Sequence, residues 1–188
     1  MPMEPVKIKS FRIDGKLELV KRNTLENLGL TDTQLKKVLS KLREDLGDFQ
    51  DTMYAHGKYA VLICLQGMDT AGKDSLIREV FKEFNVRGVV VHSFKVPTPL
   101  EKNHDYLWRH YIALPSKGKF GIFNRTHYEN VLVTKVHPQY ILGENIPGIE
   151  SLDDINTEFW EKRYEQINNF EKHLSENGTL IFKFFLHL

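Results

Sequence analysis

The sequence predicts an α/β protein with a mainly parallel sheet. Apolar runs of strand length alternate with segments of helical periodicity, which is typical of parallel strands joined by crossover helices. The first run, residues 59–65, is almost entirely apolar, as expected for a central strand covered on both faces. Residues 67–75 then form a glycine-containing turn before a helical pattern. With 188 residues, 41% of them apolar, the chain is long enough for one substantial core.

The N-terminal part divides into an arm and a helix. Residues 1–30 are mixed in composition, contain the turn signal Asp14-Gly15, and are interpreted as an extended N-terminal arm that wraps the domain. Thr31 followed by Gln34 indicates a capping box at a helix start. Apolar residues at three- and four-residue spacing predict a helix of about six turns with one face toward a core. These residues are Leu35, Val38, Leu39, Leu42, Leu46, Phe49 and Met53.

Residues 67–75 have the Gly-x-x-x-x-Gly-Lys spacing of a phosphate-binding loop (P-loop, Walker A), and the helix after it is predicted to reach Phe84. Glycines let the chain curl so that backbone N–H groups point inward, and the start of the helix adds positive potential. The predicted phosphate- and nucleotide-binding residues here are Gly67, Thr70, Ala71, Gly72, Lys73, Asp74 and Ser75. The alternative is a glycine-rich turn with a surface lysine, and the flanking strand and helix favour the phosphate loop.

Two acidic residues distinguish this loop from the usual pattern. Asp74 follows the lysine, where a magnesium-binding Ser or Thr is usual, and Ser75 comes one place later. Asp69 lies inside the loop, where a carboxylate would repel phosphate unless a cation lay between them. Mg²⁺ is usually held by one or two carboxylates together with phosphate oxygens. Asp69 is therefore the first candidate for a magnesium contact, either directly or through water.

The rest of the chain continues the alternation of strands and helices. Strands are predicted at residues 88–94, 120–123 and 179–188. Helices are predicted at residues 100–114, after the break at Pro97-Thr98-Pro99, and at residues 126–136, with residues 138–147 as a loop. Residues 151–154 are predicted to cap a long helix that ends at Asn177-Gly178. Its predicted core-facing residues are Phe159, Tyr164, Ile167, Phe170 and Leu174.

Polar residues follow three of the predicted strands. Ligands of parallel sheets lie beyond the C-terminal ends of the strands, so the phosphate loop, Phe94-Lys95 and Asn124-Arg125 should converge on one crevice. Asn124 lies where an acid commonly holds magnesium, and its neutral amide can contact the metal or its waters without adding charge. Arg125 is predicted to neutralise charge on the transferring group. The alternative for Arg125 is a structural ion pair.

Charge is distributed unevenly along the chain. The net charge is only +1, but residues 87–135 contain eight Lys or Arg against three Asp or Glu. Residues 136–188 contain four against nine. A protein that holds a polyanion needs positive charge concentrated where the anion lies, and the middle of this chain, including the basic loop at residues 115–119, provides it. Chance clustering on solvated faces is the alternative.

Several classes of function are not supported. There is no run of eighteen apolar residues, and the first residues lack the apolar region of a signal peptide, so we expect neither a membrane span nor export. Cys64 is the single cysteine, which excludes an intrachain disulfide, suits the cytoplasm and predicts a core residue. The histidines have no paired spacing typical of a zinc site. Near-neutral charge without a recognition module leads us to expect no nucleic-acid partner.

In combination, these segments resemble the polyphosphate kinase 2 family from about residue 30 to the end. The resemblance rests on residues 67–74, 94–98, 104–109, 123–129 and Phe159-Trp160. It implies a thymidylate-kinase-like P-loop fold, a three-layer α/β/α sandwich, for a kinase domain of residues 31–188. Family members move phosphate between inorganic polyphosphate and nucleotides with magnesium. Asn124 followed by His127, Tyr128 and Glu129 is similar to class III, which accepts AMP and ADP, whereas many members have Asp in place of Asn124.

The resemblance also implies roles for individual residues. The implied catalytic residues are Asp69, Lys73, Asn124 and Arg125, with Asp69 and Asn124 next to Mg²⁺, or Mn²⁺ in its place. Lys95 and Arg109 would line the path of polyphosphate or nucleotide, and Glu129 would lie near the nucleotide.

The implied partners are inorganic polyphosphate and adenine nucleotides, with guanine nucleotides as a second class. A homo-oligomer, a dimer or tetramer, is expected. Family members continue past the fourth strand into helices that form a lid, so a C-terminal lid is expected beyond Leu188. Two other functions stay open: an ATP-dependent nucleoside monophosphate kinase, and a non-catalytic phosphate- or nucleotide-binding module, which the lack of charge at Asn124 would allow.

Overall fold

The computed structural model describes residues 11–13, 15–25 and 28–188. Four parallel strands form one sheet in the order β2-β3-β1-β4. Their bounds are Ala60–Gly67 (β1), Val89–Ser93 (β2), Phe120–Asn124 (β3) and Thr179–Leu186 (β4). The predicted α/β class and all four predicted strands are confirmed.

Seven helices connect or flank the strands in the described part of the chain. They are Asp32–His56 (α1), Lys73–Val80 (α2), Pro99–Lys102 (α3), Trp108–Tyr111 (α4), Glu129–Val136 (α5), Gln139–Leu142 (α6) and Thr157–Glu176 (α7). No helix among the described residues combines the length and the hydropathy of a membrane-spanning segment.

Strand β1 separates two hydrophobic cores. Val61, Ile63 and Leu65 pack on one face with side chains of α1 and α2, whereas Leu62 and Cys64 pack on the other with side chains of α7. Successive side chains of a strand point to opposite faces, so an all-apolar strand serves both cores. This arrangement is the predicted three-layer α/β/α sandwich, and it buries Cys64 as predicted.

The structure confirms the predicted start of helix α1 but not its predicted buried face. The capping box between Thr31 and Gln34 is present. Leu42 and Phe49, however, are 54% and 50% exposed, so their assignment to the core-facing stripe is wrong. The helix instead approaches its neighbour through Gly47, where an added Cβ would lie 2.9 Å from the backbone oxygen of Glu83. This close approach turns the helix so that Leu42 and Phe49 lie toward solvent.

Gln50 is a buried polar residue on this face of α1. Its Nε2 donates to the carbonyl oxygen of Asn85 at 2.9 Å, and its Oε1 accepts from the N–H of Asn85 at 2.8 Å. Gly88 leaves space for this side chain, since a Cβ there would clash with Nε2 of Gln50. Gln50 thus fixes the connection between α2 and β2.

We expect Gln50→Leu to lower the free energy of unfolding by about 2 to 4 kcal/mol, because it leaves two backbone groups of Asn85 without partners. Urea unfolding measures this loss. Asp51→Leu on the exposed side of the same helix is the control and should change stability by less than about 0.5 kcal/mol. A loss below about 1 kcal/mol for Gln50→Leu would contradict the assigned role.

Several predicted helix bounds are wrong. Residues 100–114 form two short helices rather than one, because the side chain of Asp105 accepts from the N–H of Leu107 at 2.9 Å and makes a turn between them. Helix α2 ends at Val80 rather than Phe84, and residues 126–128 form a turn before α5. The predicted loop at residues 138–147 contains the short helix α6.

Helix α7 begins later than predicted and buries a different face. The box formed by Ser151 and Asp154 caps a separate 3₁₀ turn, whereas Asn156 caps α7 by accepting from the N–H of Phe159 at 3.1 Å. Tyr164 is 40% exposed rather than in the core, and Arg163 beside it is 3% exposed. Arg163 is buried because the two terminal nitrogens of its guanidinium donate to the carboxylate of Glu144, at 3.1 and 2.7 Å.

Only part of the predicted N-terminal arm, residues 1–30, lies within the described residues. Residues 1–10 and Asp14 lie outside them, and so do residues 26–27. The described residues 11–13 and 15–25 are exposed. The arm and the domain boundary at residue 31 stay predictions.

Candidate active site

The loop after β1 curls around the ammonium group of Lys73. Thr70 and Gly72 adopt left-handed backbone conformations, with φ of 65° and 84°, and α2 begins immediately afterwards. The Lys73 side chain is folded back into the loop, so that the residue is only 7% exposed. Its Nζ donates to the carbonyl oxygens of Gly67 at 2.8 Å and Met68 at 2.9 Å. A full positive charge is therefore held beside the N-terminus of a helix, as an anion site requires.

The first glycine of the loop is required by space. An added Cβ at Gly67 would lie 3.0 Å from the backbone oxygen of Leu186 and 3.2 Å from the Cβ of Ala71. Strand β4 and the loop itself therefore close on this position from both sides. This is the close backbone approach for which the first glycine of such loops is needed.

The end of β3 lies directly beside the loop. Asn124 is paired in register with Leu65 of β1 and with Ser93 of β2, so the segments that follow all three strands emerge together. The Nδ2 of Asn124 donates to Oδ1 of Asp74 at 2.6 Å. The side chain at the end of β3 is thus tied to the first turn of α2.

Arg125 adopts a left-handed conformation, with φ of 61°, and its guanidinium forms an ion pair with Asp69. Both side chains are accessible, with Asp69 79% and Arg125 39% exposed. Glu129 lies 3.8 Å from the same guanidinium and accepts a hydrogen bond from Gln66 at 2.6 Å. Two residues predicted to act on the ligand therefore neutralise one another in the free protein, and an incoming phosphate would compete with Asp69 for Arg125.

Arg109 and Lys95 differ in their availability to a ligand. The Arg109 side chain is 10% exposed, lies 3.3 Å from Glu101 and stacks 5.0 Å above the ring of Phe94. Burial lowers the pKa of Arg109, and the nearby carboxylate of Glu101 opposes this shift. Lys95 is exposed. Lys95 is thus free to contact an anion, whereas Arg109 is already partly neutralised.

One cavity of about 1280 Å³ joins these segments. Every site residue predicted from the sequence lies on its wall except Gly67, the last residue of β1. Pockets for single small ligands usually measure about 300–1,000 Å³. The cavity therefore has room for two phosphate-bearing ligands side by side.

The oxygen donors at the loop fit a magnesium ion. Asp69 and Asp74 provide carboxylates, and the amide of Asn124 donates its Nδ2 to Asp74, which leaves Oδ1 as an acceptor. The described residues contain no group of three or more His, Cys, Asp or Glu that could hold a metal by themselves. Because Mg²⁺ is commonly bound by one or two carboxylates and completed by substrate phosphates, this sparse set is sufficient.

The sequence did not predict a polar cluster behind the site. Glu171 of α7 accepts from the hydroxyl of Tyr128 at 2.5 Å, from Nε2 of His127 at 3.1 Å and from Nζ of Lys183 at 2.7 Å. Glu171 lies 44 and 43 positions from the adjacent pair His127 and Tyr128 and 12 positions from Lys183, so no local pattern links it to them. Further cavity residues that the sequence did not single out are Lys102, Asn130, Tyr140 and Glu144.

We expect the stability difference between the wild type and Glu171→Gln to shrink at low pH. Burial alone would raise the pKa of the Glu171 carboxyl, but hydrogen bonds from His127, Lys183 and Tyr128 outweigh it and lower the pKa from 4.5 to about 2. A carboxyl with a lowered pKa stabilises the fold above its unfolded pKa and loses this effect as the pH falls through the folded pKa. Urea unfolding between pH 7 and pH 3 should show a constant difference above about pH 5.5 and a falling one below about pH 4.5. A difference that stays constant down to pH 3 would contradict the assignment.

The fold and the loop define a P-loop α/β protein. Residues 29–188 match the sequence model of the family described as polyphosphate kinase 2. The chain belongs to the polyphosphate kinase 2 family.

Individual relatives agree with this assignment. The chain is 42% identical over 186 residues to the ADP-polyphosphate phosphotransferase of Rhodopseudomonas palustris, covering 97% of this chain and 63% of that protein. It is 39% identical over 185 residues to the AMP/ADP-polyphosphate phosphotransferase of Meiothermus ruber, covering 96% and 64%. The crystal structure of polyphosphate kinase 2 from Arthrobacter aurescens TC1 superimposes with a TM-score of 0.85 at 31% identity, covering 99% and 63%. The chain thus spans slightly less than two thirds of the length of these relatives.

Proposed function

We propose that the protein transfers a phosphoryl group between inorganic polyphosphate and AMP or ADP, forming ADP or ATP. The observation that supports this most directly is the cavity of about 1280 Å³, in which the phosphate loop faces Arg125 and Lys95. It offers positive groups from three segments and room for a donor and an acceptor. The two relatives described above are named as polyphosphate phosphotransferases, one for ADP and one for AMP and ADP.

The proposed reaction needs positioning and charge neutralisation more than covalent chemistry. A terminal phosphate oxygen of the nucleotide attacks the terminal phosphorus of polyphosphate. A new P–O bond forms to the nucleotide as the P–O bond to the next phosphate of the chain breaks, and the shortened polyphosphate leaves with the bonding electrons. The acceptor is already an anion at neutral pH, so no general base is required.

The residues of the cavity have distinct parts in this scheme. The loop amides and Lys73 hold phosphate oxygens where transfer occurs, and Arg125 leaves Asp69 to neutralise charge on the transferring group. Asp69 and Asn124 would hold Mg²⁺, or Mn²⁺ in its place. A cation held there would supply positive charge against the phosphates. Lys95 and Glu129 would line the nucleotide or polyphosphate path.

AMP and ADP are the proposed acceptors, in line with the resemblance of Asn124, His127, Tyr128 and Glu129 to class III, and guanine nucleotides are proposed as a second class. We further propose a cytoplasmic homo-oligomer, a dimer or tetramer. Size-exclusion chromatography with light scattering measures the oligomeric state, and a monomer at working concentration would remove this part of the proposal.

The test is a phosphate-donor panel with the full-length protein. AMP or ADP is incubated with Mg²⁺ and either polyphosphate or ATP, and the nucleotide products are separated by chromatography. Formation of ADP or ATP from polyphosphate supports the proposal. Phosphorylation only with ATP as donor would show a nucleoside monophosphate kinase, and nucleotide binding without any turnover would show a binding module.

A further inference from the structure

Contacts with other segments, rather than the backbone preference of Arg125 itself, fix the turn that presents Arg125 to the cavity. Arg125 has a left-handed φ of 61°, a region that residues with a side chain rarely adopt. Its N–H donates to the carbonyl oxygen of Leu65 at 3.2 Å. Thr126 is fully buried, and its hydroxyl donates to Gln66 at 3.2 Å and accepts from the N–H of Tyr128 at 3.2 Å. Such a conformation persists only when surrounding contacts determine it.

The far side of this turn is fixed by one carboxylate. Both oxygens of Glu171 are used: Oε1 accepts from the Tyr128 hydroxyl at 2.5 Å and from His127 at 3.1 Å, and Oε2 accepts from Lys183 at 2.7 Å. Lys183 also donates to the Tyr128 hydroxyl at 3.0 Å, which closes the cluster. The cluster therefore joins the turn to α7 and to β4 at once.

The cluster lies behind the site rather than in it. The Glu171 side chain is 12% exposed and His127 is fully buried. Neither residue belongs to the cavity wall, and nor do Tyr128 and Lys183. Glu171 therefore does not contact a ligand in the cavity directly, and its hydrogen bonds to His127 and Tyr128 lead to the turn that bears Asn124 and Arg125.

We propose that Glu171 is a positioning residue that holds Arg125 toward the phosphate loop through its hydrogen bonds to His127 and Tyr128. The kinetic part of this inference rests on the proposed phosphotransfer. Glutamine at this position has nearly the same shape but replaces one acceptor oxygen with a donor. One of the three donors that face it would lose its partner, and the turn would then have alternative conformations.

The kinetic test compares Glu171→Gln, Arg125→Ala and the double variant in full-length protein. We expect Glu171→Gln to lower kcat by about ten- to a hundredfold, since misplacing a positioned group by about 1 Å has effects of this size. The double variant should be within about twofold of Arg125→Ala alone, because a residue that acts through Arg125 has no effect once Arg125 is absent. A purely structural role would instead make the two losses multiply, and that result would overturn the proposal.

Glu165→Gln is the matched control, because Glu165 lies on the same helix and is exposed. We expect its kcat to be unchanged. If Glu171→Gln does not fold, Tyr128→Phe provides the same test, since it removes only the hydroxyl that Glu171 accepts from. An unchanged kcat in a folded Glu171→Gln or Tyr128→Phe variant would contradict the proposal.

A second measurement is independent of the reaction. Hydrogen–deuterium exchange of the peptide covering residues 120–131 should be at least about fivefold faster in Glu171→Gln than in the wild type, and unchanged in Glu165→Gln. Equal exchange in both variants would overturn the positioning role. Faster exchange in Glu171→Gln, together with a wild type that makes no nucleotide from polyphosphate, would leave the positioning role standing and refute the proposed function instead.

Discussion

Replacing Lys73 with alanine is expected to lower kcat for polyphosphate-dependent phosphorylation by at least about a hundredfold. Lys73 is only 7% exposed, and its ammonium group is held by two loop carbonyls, from Gly67 and Met68. An incoming phosphate oxygen is a stronger acceptor than either carbonyl, so the lysine can turn to the transferring group without leaving the loop. Groups that neutralise charge as it develops in a water-poor site commonly contribute factors of about 10²–10³.

The measurement is steady-state kinetics with ADP and polyphosphate in full-length protein. Lys82→Ala is the control, because Lys82 is exposed, lies just beyond α2 and should leave kcat unchanged. Circular dichroism establishes that both variants are folded. A near-normal kcat for Lys73→Ala would show that the phosphate-transfer point lies elsewhere in the molecule.

The parts of the site that the sequence predicted are those that depend on local chain geometry. A strand, a glycine-containing turn and a helix are adjacent in the sequence, so the residues 67–75 indicate the loop on their own. Asn124 and Arg125 could be added because parallel strands end at the same edge of a sheet. No knowledge of side-chain packing is needed for either step.

The parts that the sequence did not predict depend on packing between distant segments. The exposure of Leu42 and Phe49 follows from the approach of Gly47 to the backbone of Glu83, which periodicity cannot indicate. The cluster around Glu171 joins residues separated by 12 to 44 positions. Glu171 and Lys183 resemble surface polar residues in the sequence, and only the fold brings them to His127 and Tyr128.

The ion pair between Asp69 and Arg125 joins two residues for which the sequence predicted different ligands. The sequence assigned one residue to a metal and the other to the transferring phosphate, and the structure pairs them with each other. The two assignments are compatible only if a ligand replaces this pair. Asp69 would then exchange a guanidinium for a metal cation, and Arg125 would exchange a carboxylate for a phosphate.

Asp69→Asn is accordingly expected to lower kcat by at least about a hundredfold and to raise the Mg²⁺ concentration needed for half-maximal rate. Asparagine keeps the size of the side chain but removes the charge that would hold a divalent cation between the loop and the phosphates. Steady-state rates across a Mg²⁺ titration measure both effects. Isothermal titration calorimetry of ADP with and without Mg²⁺ adds a readout that does not depend on turnover.

Two controls separate the metal role from the ion pair. Asp51→Asn, an exposed change on α1, should leave both the rate and the Mg²⁺ dependence unchanged. If Asp69 served only to hold Arg125, then Asp69→Asn would lower the rate without changing the Mg²⁺ dependence of ADP binding. That result would remove Asp69 from the metal site and leave Asp74 and Asn124, joined at 2.6 Å, as the oxygen donors nearest the loop. If Asp69→Asn both lowers kcat and raises the Mg²⁺ concentration needed for half-maximal rate, the carboxylate of Asp69 faces the cation during transfer.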